Sequence, residues 1–379
     1  MEKDLKILMI SSDKKLLEEG STVSERIKEY GNLVEEIHVV LLCNKSHTES
    51  LKISSNVWVY PTNSVTSVLR PIDAARIGKR IVLEKKFVRG QSVITCQDLE
   101  SGWAGVRVKN KWRIPLEIQM HTDPFSPYFT GFQNTVRKFF MKRILNNADS
   151  IRVVNESLKE KLKIVNSKLE IYTLPIYVDK EKIENATIAF DLHARYPWHF
   201  ILLSVSRLES EKNLGLALRT LALVRQSFPE TGLIIVGSGS EEGKLKSLVQ
   251  SLGLQGAVAF AGWQDNLSSF YKTANAYLQT SLFEGYGLSL VEAGLSGLPV
   301  ITTPVGLALE LEHGKNAYIF PHDRPDLFAS GIIDLIENNQ KRENLKFNLK
   351  KTLEIKLISK DQYLNQLLEN WKEIAGRVA

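Results

Sequence analysis

Two glutamates stand eight positions apart in the stretch FEGYGLSLVE, with Glu284 before a Gly-Tyr-Gly turn and Glu292 after it. A carboxylate accepts hydrogen bonds, so such a pair suits a ligand that carries several hydroxyl groups. Gly285 and Gly287 have no side chain, which lets backbone N–H groups come close to an anion. These residue types predict a site that binds hydroxyls and an anion together.

An anion also needs cations, and the stretch SVSRLESEKN supplies Arg207 and Lys212. A helix N-terminus alone contributes only about 0.3–1 kcal/mol. At an effective dielectric near 20, a cation about 4 Å from a phosphate adds on the order of 4 kcal/mol before desolvation. With Glu292 on the two hydroxyls of a ribose and Glu284 on a group attached to the phosphate, the residues predict a site for nucleoside, diphosphate and sugar. The open alternative is an ordinary strand-turn-helix with solvated glutamates.

Both stretches follow strand-like segments, AYLQTS and FILLSVS. After the Gly-Tyr-Gly turn, Leu288, Val291 and Leu295 recur at helical spacing, which predicts a helix. In parallel sheets the ligands bind beyond the carboxyl ends of the strands. The two stretches are therefore expected to meet at one edge of one sheet.

Short apolar strands alternate with helical stretches along the whole chain, which predicts an α/β fold with parallel βαβ units. A polar stretch near 180–198 interrupts the alternation. We predict two doubly wound, Rossmann-like domains, 1–190 and 191–360, that face a central cleft. The last helix, 361–379, is predicted to start at Asp361 and to pack back on the first domain. The segment RVKNKWR, 107–113, is interpreted as a strand and turn that covers the cleft.

The composition, 43% hydrophobic and 24% charged, is that of a soluble globular protein. No apolar run approaches the ~20 residues of a membrane span. The two cysteines lie in apolar segments and predict a reducing, cytoplasmic setting without disulfides.

The net charge of +6 is concentrated in residues 1–190, which hold 30 lysines and arginines against 23 acidic residues. This excess is either a solvated surface or a face for an anionic partner. The basic helix VRKFFMKRILNN, 136–147, either buries Phe139 and Phe140 in the core or lies on the inner face of an anionic membrane. No helix-turn-helix or RNA-binding motif is present, so no nucleic-acid partner is expected.

Two further motifs fail on inspection. The glycines of GSGS, 237–240, resemble a dinucleotide fingerprint, but Glu242 stands where the third glycine belongs. His121 and Asp123 have the spacing of a metal pair without further ligands nearby. We therefore predict no metal site.

The segments SRLESEKN, LIIVGSGSEEGKL, VAFAGW and FEGYGLSLVEAGLSGLPVITTPVG closely resemble the donor domain of GT-B glycosyltransferases of the retaining family 4 (group 1) type. Glu284 and Glu292 match that family's Glu-x7-Glu motif. The resemblance is specific over about 200–325 and weaker in the N-terminal half. It implies the retaining transfer of a sugar from a nucleotide-diphosphate donor to a hydroxyl of a glycan or lipid-linked acceptor. It also implies that no metal or other cofactor is needed.

The resemblance also assigns roles to particular residues. Arg207 and Lys212 would bind the diphosphate, and Glu292 would bind the ribose. Glu284 and the backbone of the following four residues would contact the donor sugar and phosphates; those four are Gly285, Tyr286, Gly287 and Leu288. The nucleobase would lie near Gly237 and the segment 260–263. His121, which ends the strand LEIQMH, would face the transferred sugar.

The sequence departs from the family pattern mainly on the acceptor side. Gly20 stands alone where the family has a Gly-Gly turn after the first strand, and PIYVD, 175–179, replaces Pro-Asn-Gly-Val-Asp. Two alternatives remain open. One is another GT-B chemistry on nucleotide sugars, as in an epimerase or a sugar-phosphate synthase. The other is a catalytically inactive GT-B binding protein, which would bind donor without turnover.

Overall fold

The computed structural model describes residues 4–45, 49–121, 132–165 and 170–377. The chain divides into two compact units. The first combines Met1–Pro175 with Ser359–Ala379, and the second is Ile176–Ile358. Each unit is built on its own mainly parallel sheet flanked by helices, which confirms the predicted α/β class with two doubly wound sheets.

The first unit contains an eight-stranded sheet with the order β3-β4-β2-β1-β5-β6-β7-β8, in which only the β3–β4 pair is antiparallel. Its strands are β1 (Lys6–Ser11), β2 (Glu36–Leu41), β3 (Leu51–Ser54), β4 (Val57–Pro61), β5 (Ser92–Cys96), β6 (Leu116–Met120), β7 (Ser150–Val153) and β8 (Ile171–Thr173). The helices between them are α1 (Thr22–Gly31), α2 (Arg70–Glu84), α3 (Leu99–Trp112), α4 (Phe132–Leu145) and α5 (Glu156–Val165). The strands near the centre of the sheet are almost fully buried because helices cover them.

The second unit contains a six-stranded parallel sheet with the order β11-β10-β9-β12-β13-β14. Its strands are β9 (Phe200–Val205), β10 (Thr231–Val236), β11 (Val258–Gly262), β12 (Ala276–Gln279), β13 (Val300–Thr302) and β14 (Tyr318–Ile319). The helices are α6 (Lys180–Glu184), α7 (Leu192–Arg195), α8 (Leu214–Ser227), α9 (Glu242–Ser251), α10 (Ser268–Thr273), α11 (Leu288–Leu295), α12 (Pro325–Glu337) and α13 (Asn339–Lys356). The chain proceeds from β9 outward to β11 and then returns to β12 on the other side of β9. The point between β9 and β12 is therefore the topological switch point, where open α/β sheets bind ligands.

The last helix, α14 (Lys360–Gly376), belongs to the first unit. Its residues Tyr363 and Trp371 are buried against Tyr30 of α1, with ring centroids 6.3 Å and 5.9 Å away. The helix does not start with Asp361 as its cap. Ser359 is the N-cap, because its side chain and that of Gln362 form a reciprocal capping box.

The segment 107–113 is not a strand and turn, so this prediction was wrong. It forms the C-terminal half of α3, which begins with a capping box between Asp98 and Ser101. The helix packs closely on the sheet, since a Cβ at Gly105 would lie 2.5 Å from Cys96 Sγ. The cationic side chains had suggested a solvated loop, but they occupy the outer face of a packed helix.

The helix α4 shows which of its predicted orientations is present. Met141, Ile144 and Leu145 are buried in the core, whereas Phe139 and Phe140 are 65% and 40% exposed. The alternative in which the two phenylalanines face the core is therefore wrong. No helix in the described ranges is long and apolar enough to cross a membrane.

The predicted linker region folds onto the second unit. The compact units divide between Pro175 and Ile176, earlier than the predicted boundary at 190. The segment behind the boundary is held by α10, for example through Lys272 Nζ, which donates to the backbone oxygens of Glu184 and Ala186 at 2.7 Å and 2.6 Å. These contacts use backbone atoms of the segment, so its side chains can stay polar. Its composition therefore looks like that of a free linker.

Candidate active site

A pocket of about 210 Å³, including its open mouth, lies at the carboxyl ends of β9 and β12 in the second unit. It therefore occupies the switch point of the sheet. Its polar lining combines hydroxyl side chains with one cation, one carboxylate and one amide: Ser204, Ser206, Tyr277, Thr280, Ser281, Ser289, Lys212, Glu284 and Gln279. Such a lining suits a polar, hydroxyl-bearing or anionic ligand.

Lys212 and Glu284 form an ion pair inside this pocket. Their Nζ–Oε1 distance is 2.8 Å, and each side chain is only 13% exposed. The hydroxyl of Ser281 donates to the same Glu284 oxygen at 2.7 Å. Thr280 Oγ1 also donates to the backbone oxygen of Lys212 at 3.0 Å, which ties the two loops together. The structure thus brings two of the predicted site residues into direct contact.

Arg207 lies apart from this pair. Its side chain is 67% exposed, and Nη2 contacts Glu211 Oε1 at 2.8 Å, four positions further along the chain. Arg207 follows β9 as predicted, but it is not among the residues that line the pocket. Of the two cations, Lys212 is therefore the one that already faces the binding space.

Glu292 is held from a different direction. It lies in the second turn of α11, and Tyr271 of α10 donates a hydrogen bond to its Oε2 at 2.9 Å. Burial raises the pKa of Glu292 above its usual value, and the hydrogen bond from Tyr271 acts in the opposite direction. The two glutamates of the motif thus have separate partners and stand in separate surroundings.

The Gly-Tyr-Gly turn has a defined conformation. Gly287 has φ = 89° and is the N-cap of α11, a left-handed conformation that favours glycine. Tyr286 is 4% exposed, and burial raises the pKa of its phenol to about 12. Its backbone oxygen accepts from Leu307 N at 2.8 Å, so Tyr286 anchors the turn to the next loop. Gly285 precedes it, and Leu288, 40% exposed, starts the helix.

Gly237 brings two loops of the sheet edge into backbone contact. It has φ = 130°, and a Cβ there would lie 1.9 Å from the backbone oxygen of Ser206. Its N–H donates to the oxygen of Gly262 at 2.7 Å. The exposed Trp263 directly follows Gly262, the residue that accepts this hydrogen bond.

The first unit contains the remaining predicted residues. His121 directly follows β6, and its pKa is lowered to about 4 by burial and by the positive charges of Arg152 and Arg26. The ring is therefore neutral near pH 7. Gly20 has φ = 73° and lies just before α1. Asp123 lies outside the described residues. In the part of the chain that is described, no group of three or more His, Cys, Asp or Glu side chains could hold a metal ion.

Three side chains of the site were not predicted from the sequence. Ser281 precedes Glu284 by three residues, and its place in the same turn could have indicated the contact. Gln279 lies at the end of β12, where its Oε1 is buried and has no hydrogen-bond partner among the described residues. Tyr271 stands 21 positions before Glu292, so no local pattern links the two.

These features define the class of the fold and of its second unit. Residues 191–352 match the family model described as Glycosyl transferases group 1. The whole chain superposes on sucrose-phosphate synthase from Thermosynechococcus elongatus with a TM-score of 0.81 and 18% identity, over 98% of this chain and 99% of that one. The fold is GT-B, and the match to the group 1 glycosyltransferase model lies within the second unit.

Two further proteins are similar to this chain. HepE from Anabaena, solved in complex with UDP, superposes with a TM-score of 0.74 and 18% identity over 97% of this chain and 100% of that one. The GtfA subunit of a UDP-N-acetylglucosamine–peptide N-acetylglucosaminyltransferase from Streptococcus agalactiae is 27% identical over 78% of this chain. The chain spans 59% of the length of that relative.

Proposed function

We propose that the chain is a retaining glycosyltransferase of family 4 type. It moves a sugar from a nucleotide-diphosphate donor to a hydroxyl of a glycan or lipid-linked acceptor. The observation that carries this proposal is the Lys212–Glu284 pair in a hydroxyl-lined pocket at the switch point of a group 1 domain. The complex of HepE with UDP supports a nucleotide donor.

In the proposed reaction, the bond between the anomeric carbon and the diphosphate oxygen breaks. A bond from the acceptor oxygen to that carbon forms on the same face. The acceptor proton passes to the departing phosphate oxygen, and the nucleoside diphosphate leaves. The protein then has to neutralise the developing negative charge on the diphosphate rather than supply a strong base.

Lys212 and the N-terminus of α11 are suited to that task. The lysine is a point charge 13% exposed to water, where an ionic contact is stronger than at the surface. The N–H groups of the first helical turn favour an anion. Arg207 would join them by leaving Glu211 and turning to the diphosphate. We propose that these groups suffice without a metal ion.

The other residues follow from the same donor position. Glu284 would contact the donor sugar, because it follows the strand end and precedes the Gly-Tyr-Gly turn. Glu292 would accept the ribose hydroxyls. Gly237 and the exposed Trp263 would lie near the base, and the neutral His121 would contribute a hydrogen bond to the transferred sugar. Contact between Gly20 and the donor stays a prediction.

The test is the release of nucleoside diphosphate from UDP-, GDP- and ADP-sugars, with EDTA present and with membrane extract, glycans or sugar phosphates as acceptors. Release with one donor, stimulated by one acceptor class and lost in Lys212→Ala, is the expected result. Conversion of the sugar nucleotide without added acceptor would favour the epimerase alternative. Tight nucleotide binding without any turnover would favour an inactive binding protein.

We further propose peripheral contact with the inner face of a membrane through α4. Phe139 and Phe140 are exposed next to one another, with ring centroids 5.8 Å apart, and the exposed cations Lys142 and Arg143 follow them on the same helix. Aromatic rings insert at the interface while cations contact anionic headgroups. Binding to phosphatidylglycerol vesicles, with loss of binding in Phe139→Ser, is the expected result. Equal binding by both proteins would refute the contact.

A further inference from the structure

Glu292 is held by a tyrosine that lies on a separate helix. Tyr271 is 3% exposed, and its hydroxyl donates to Glu292 Oε2 at 2.9 Å. Burial raises the pKa of Tyr271 well above its usual range, with a further contribution from the nearby Tyr277 and Glu292. The phenol therefore keeps its proton and acts toward the carboxylate only as a donor.

One hydrogen bond of this kind leaves most of the carboxylate available. An ionised carboxyl group has about four acceptor positions, and the phenol of Tyr271 uses one of them. The contact also selects one orientation of a side chain that has three rotatable bonds. Glu292 thus loses less conformational freedom when a ligand binds to its remaining acceptor positions.

The helix that carries Tyr271 is itself fixed from its other side. We call residues 184–192 the anchored segment. The backbone of this segment is bound by three polar side chains of α10. Ser269 Oγ accepts from Ala189 N at 2.8 Å, Lys272 Nζ donates to the oxygens of Glu184 and Ala186, and Thr273 Oγ1 accepts from Leu192 N at 3.2 Å. Phe270 adds an edge-to-face contact with Phe190, with ring centroids 5.1 Å apart.

The short α10 therefore connects two regions that are far apart in sequence. One of its residues binds the carboxylate of Glu292, and its neighbours bind the anchored segment just behind the unit boundary. A six-residue helix has little stability of its own, so its position depends on these contacts.

We propose that Tyr271 is a positioning residue for donor binding. It presents the Glu292 carboxylate to the ribose hydroxyls of the nucleotide, and the anchored segment keeps α10 in place for this task. The inference rests on the proposed function, because it takes Glu292 as the residue that binds the ribose.

The test compares nucleotides with and without ribose hydroxyls. Wild type and Tyr271→Phe are titrated calorimetrically with UDP, GDP and ADP and with the 2′,3′-dideoxy form of each. For the ribonucleotide that wild type binds best, we expect Tyr271→Phe to raise Kd about tenfold. The dideoxy form should bind wild type and variant equally, because it offers no hydroxyl to Glu292. A general structural defect would weaken both forms.

A matched control is available in the same unit. Tyr318 is also buried, and its hydroxyl donates to the carboxylate of Asp334 away from the pocket. Tyr318→Phe should leave the ratio of the two Kd values unchanged. Ser269→Ala, which removes a contact to the anchored segment without touching Glu292, should raise the ribonucleotide Kd about two- to threefold and leave the dideoxy Kd unchanged.

The outcomes separate this inference from the proposed function. If wild type binds none of the six nucleotides, the proposed function fails and the inference fails with it. A second case is that wild type binds a ribonucleotide but Tyr271→Phe weakens the binding of the ribo and dideoxy forms equally, or weakens the binding of neither form. In that case only the positioning role of Tyr271 is overturned. If Ser269→Ala has no effect while Tyr271→Phe behaves as expected, the anchoring part alone is overturned.

Discussion

Replacing Glu284 by glutamine should separate nucleotide binding from sugar transfer. In the free protein the Glu284 carboxylate lies 2.8 Å from Lys212 Nζ, the cation that we assign to the donor diphosphate. A bound diphosphate has to compete with this carboxylate for the lysine. Glu284→Gln keeps the size of the side chain and one oxygen that can accept from Lys212 and Ser281, but it removes the competing charge.

The geometry sets the size of the effect. At an effective dielectric near 20, a contact of 2.8 Å corresponds to about 6 kcal/mol of gross attraction. Most of this is offset by desolvation, so we expect a net gain of about 1–2 kcal/mol, or roughly 5- to 30-fold tighter binding of the nucleoside diphosphate. Turnover should fall instead, by about 10²-fold or more, because the charge next to the transferred sugar is lost.

The assay pairs calorimetric binding of the nucleoside diphosphate with its release from the corresponding nucleotide sugar, at one fixed salt concentration. Glu343→Gln is the matched control, since Glu343 pairs with Lys346 at 2.9 Å in the same unit and neither residue lines the pocket. It should change neither quantity. If Glu284→Gln weakens binding of the nucleoside diphosphate as much as it lowers turnover, Glu284 acts on the nucleotide and our assignment to the sugar is refuted.

Two further predictions follow from the site and from the first unit. Lys212→Ala should weaken nucleotide binding about 10²-fold, and Arg207→Ala should weaken it less than tenfold. The reason is that Lys212 lines the pocket, whereas Arg207 is 67% exposed and paired with Glu211. Equal losses of affinity in titration calorimetry would contradict this order. The pKa of His121 is about 4 in the fold, against about 6.5 in an unfolded chain, so the unfolded state binds the proton first and stability falls as pH drops from about 6.5 toward 4. Between pH 7 and pH 5, His121→Asn should remove about 2 kcal/mol of this acid destabilisation, which urea unfolding at the two pH values would measure; an unchanged difference between the two pH values would refute it.

The sequence predicted the architecture well because its signal is local. Uniformly apolar strands followed by helical periodicity indicate parallel units, and both sheets have this form. The sequence was a poorer guide to segments whose composition suggests one environment and whose packing in the fold gives them another. Residues 107–113 look polar and loop-like but complete a helix whose inner face packs on the sheet through Gly105. Phe139 looks like a core residue, yet it is 65% exposed.

The residues of the site motifs likewise include features that the sequence predicted and features that it did not. Gly285 and Gly287 indicated a tight turn at a strand end, and the structure contains that turn. The sequence could not predict that Lys212 lines the pocket while Arg207 does not, because both residues follow β9. Only the packing of the loop after β12 brings Lys212 to the pocket.

What the sequence by itself determined is the set of elements and the residues that stand at their ends. Hydrophobic periodicity, glycine turns and motif spacing act over ten or so residues, so they can be recognised in the sequence before the fold is known. What only the tertiary structure decided is which side chains meet: Lys212 with Glu284 across 72 positions, and Tyr271 with Glu292 on another helix. The physical reason is that such pairs arise from strand order and helix packing. Both depend on the burial of the whole core rather than on any segment of the chain.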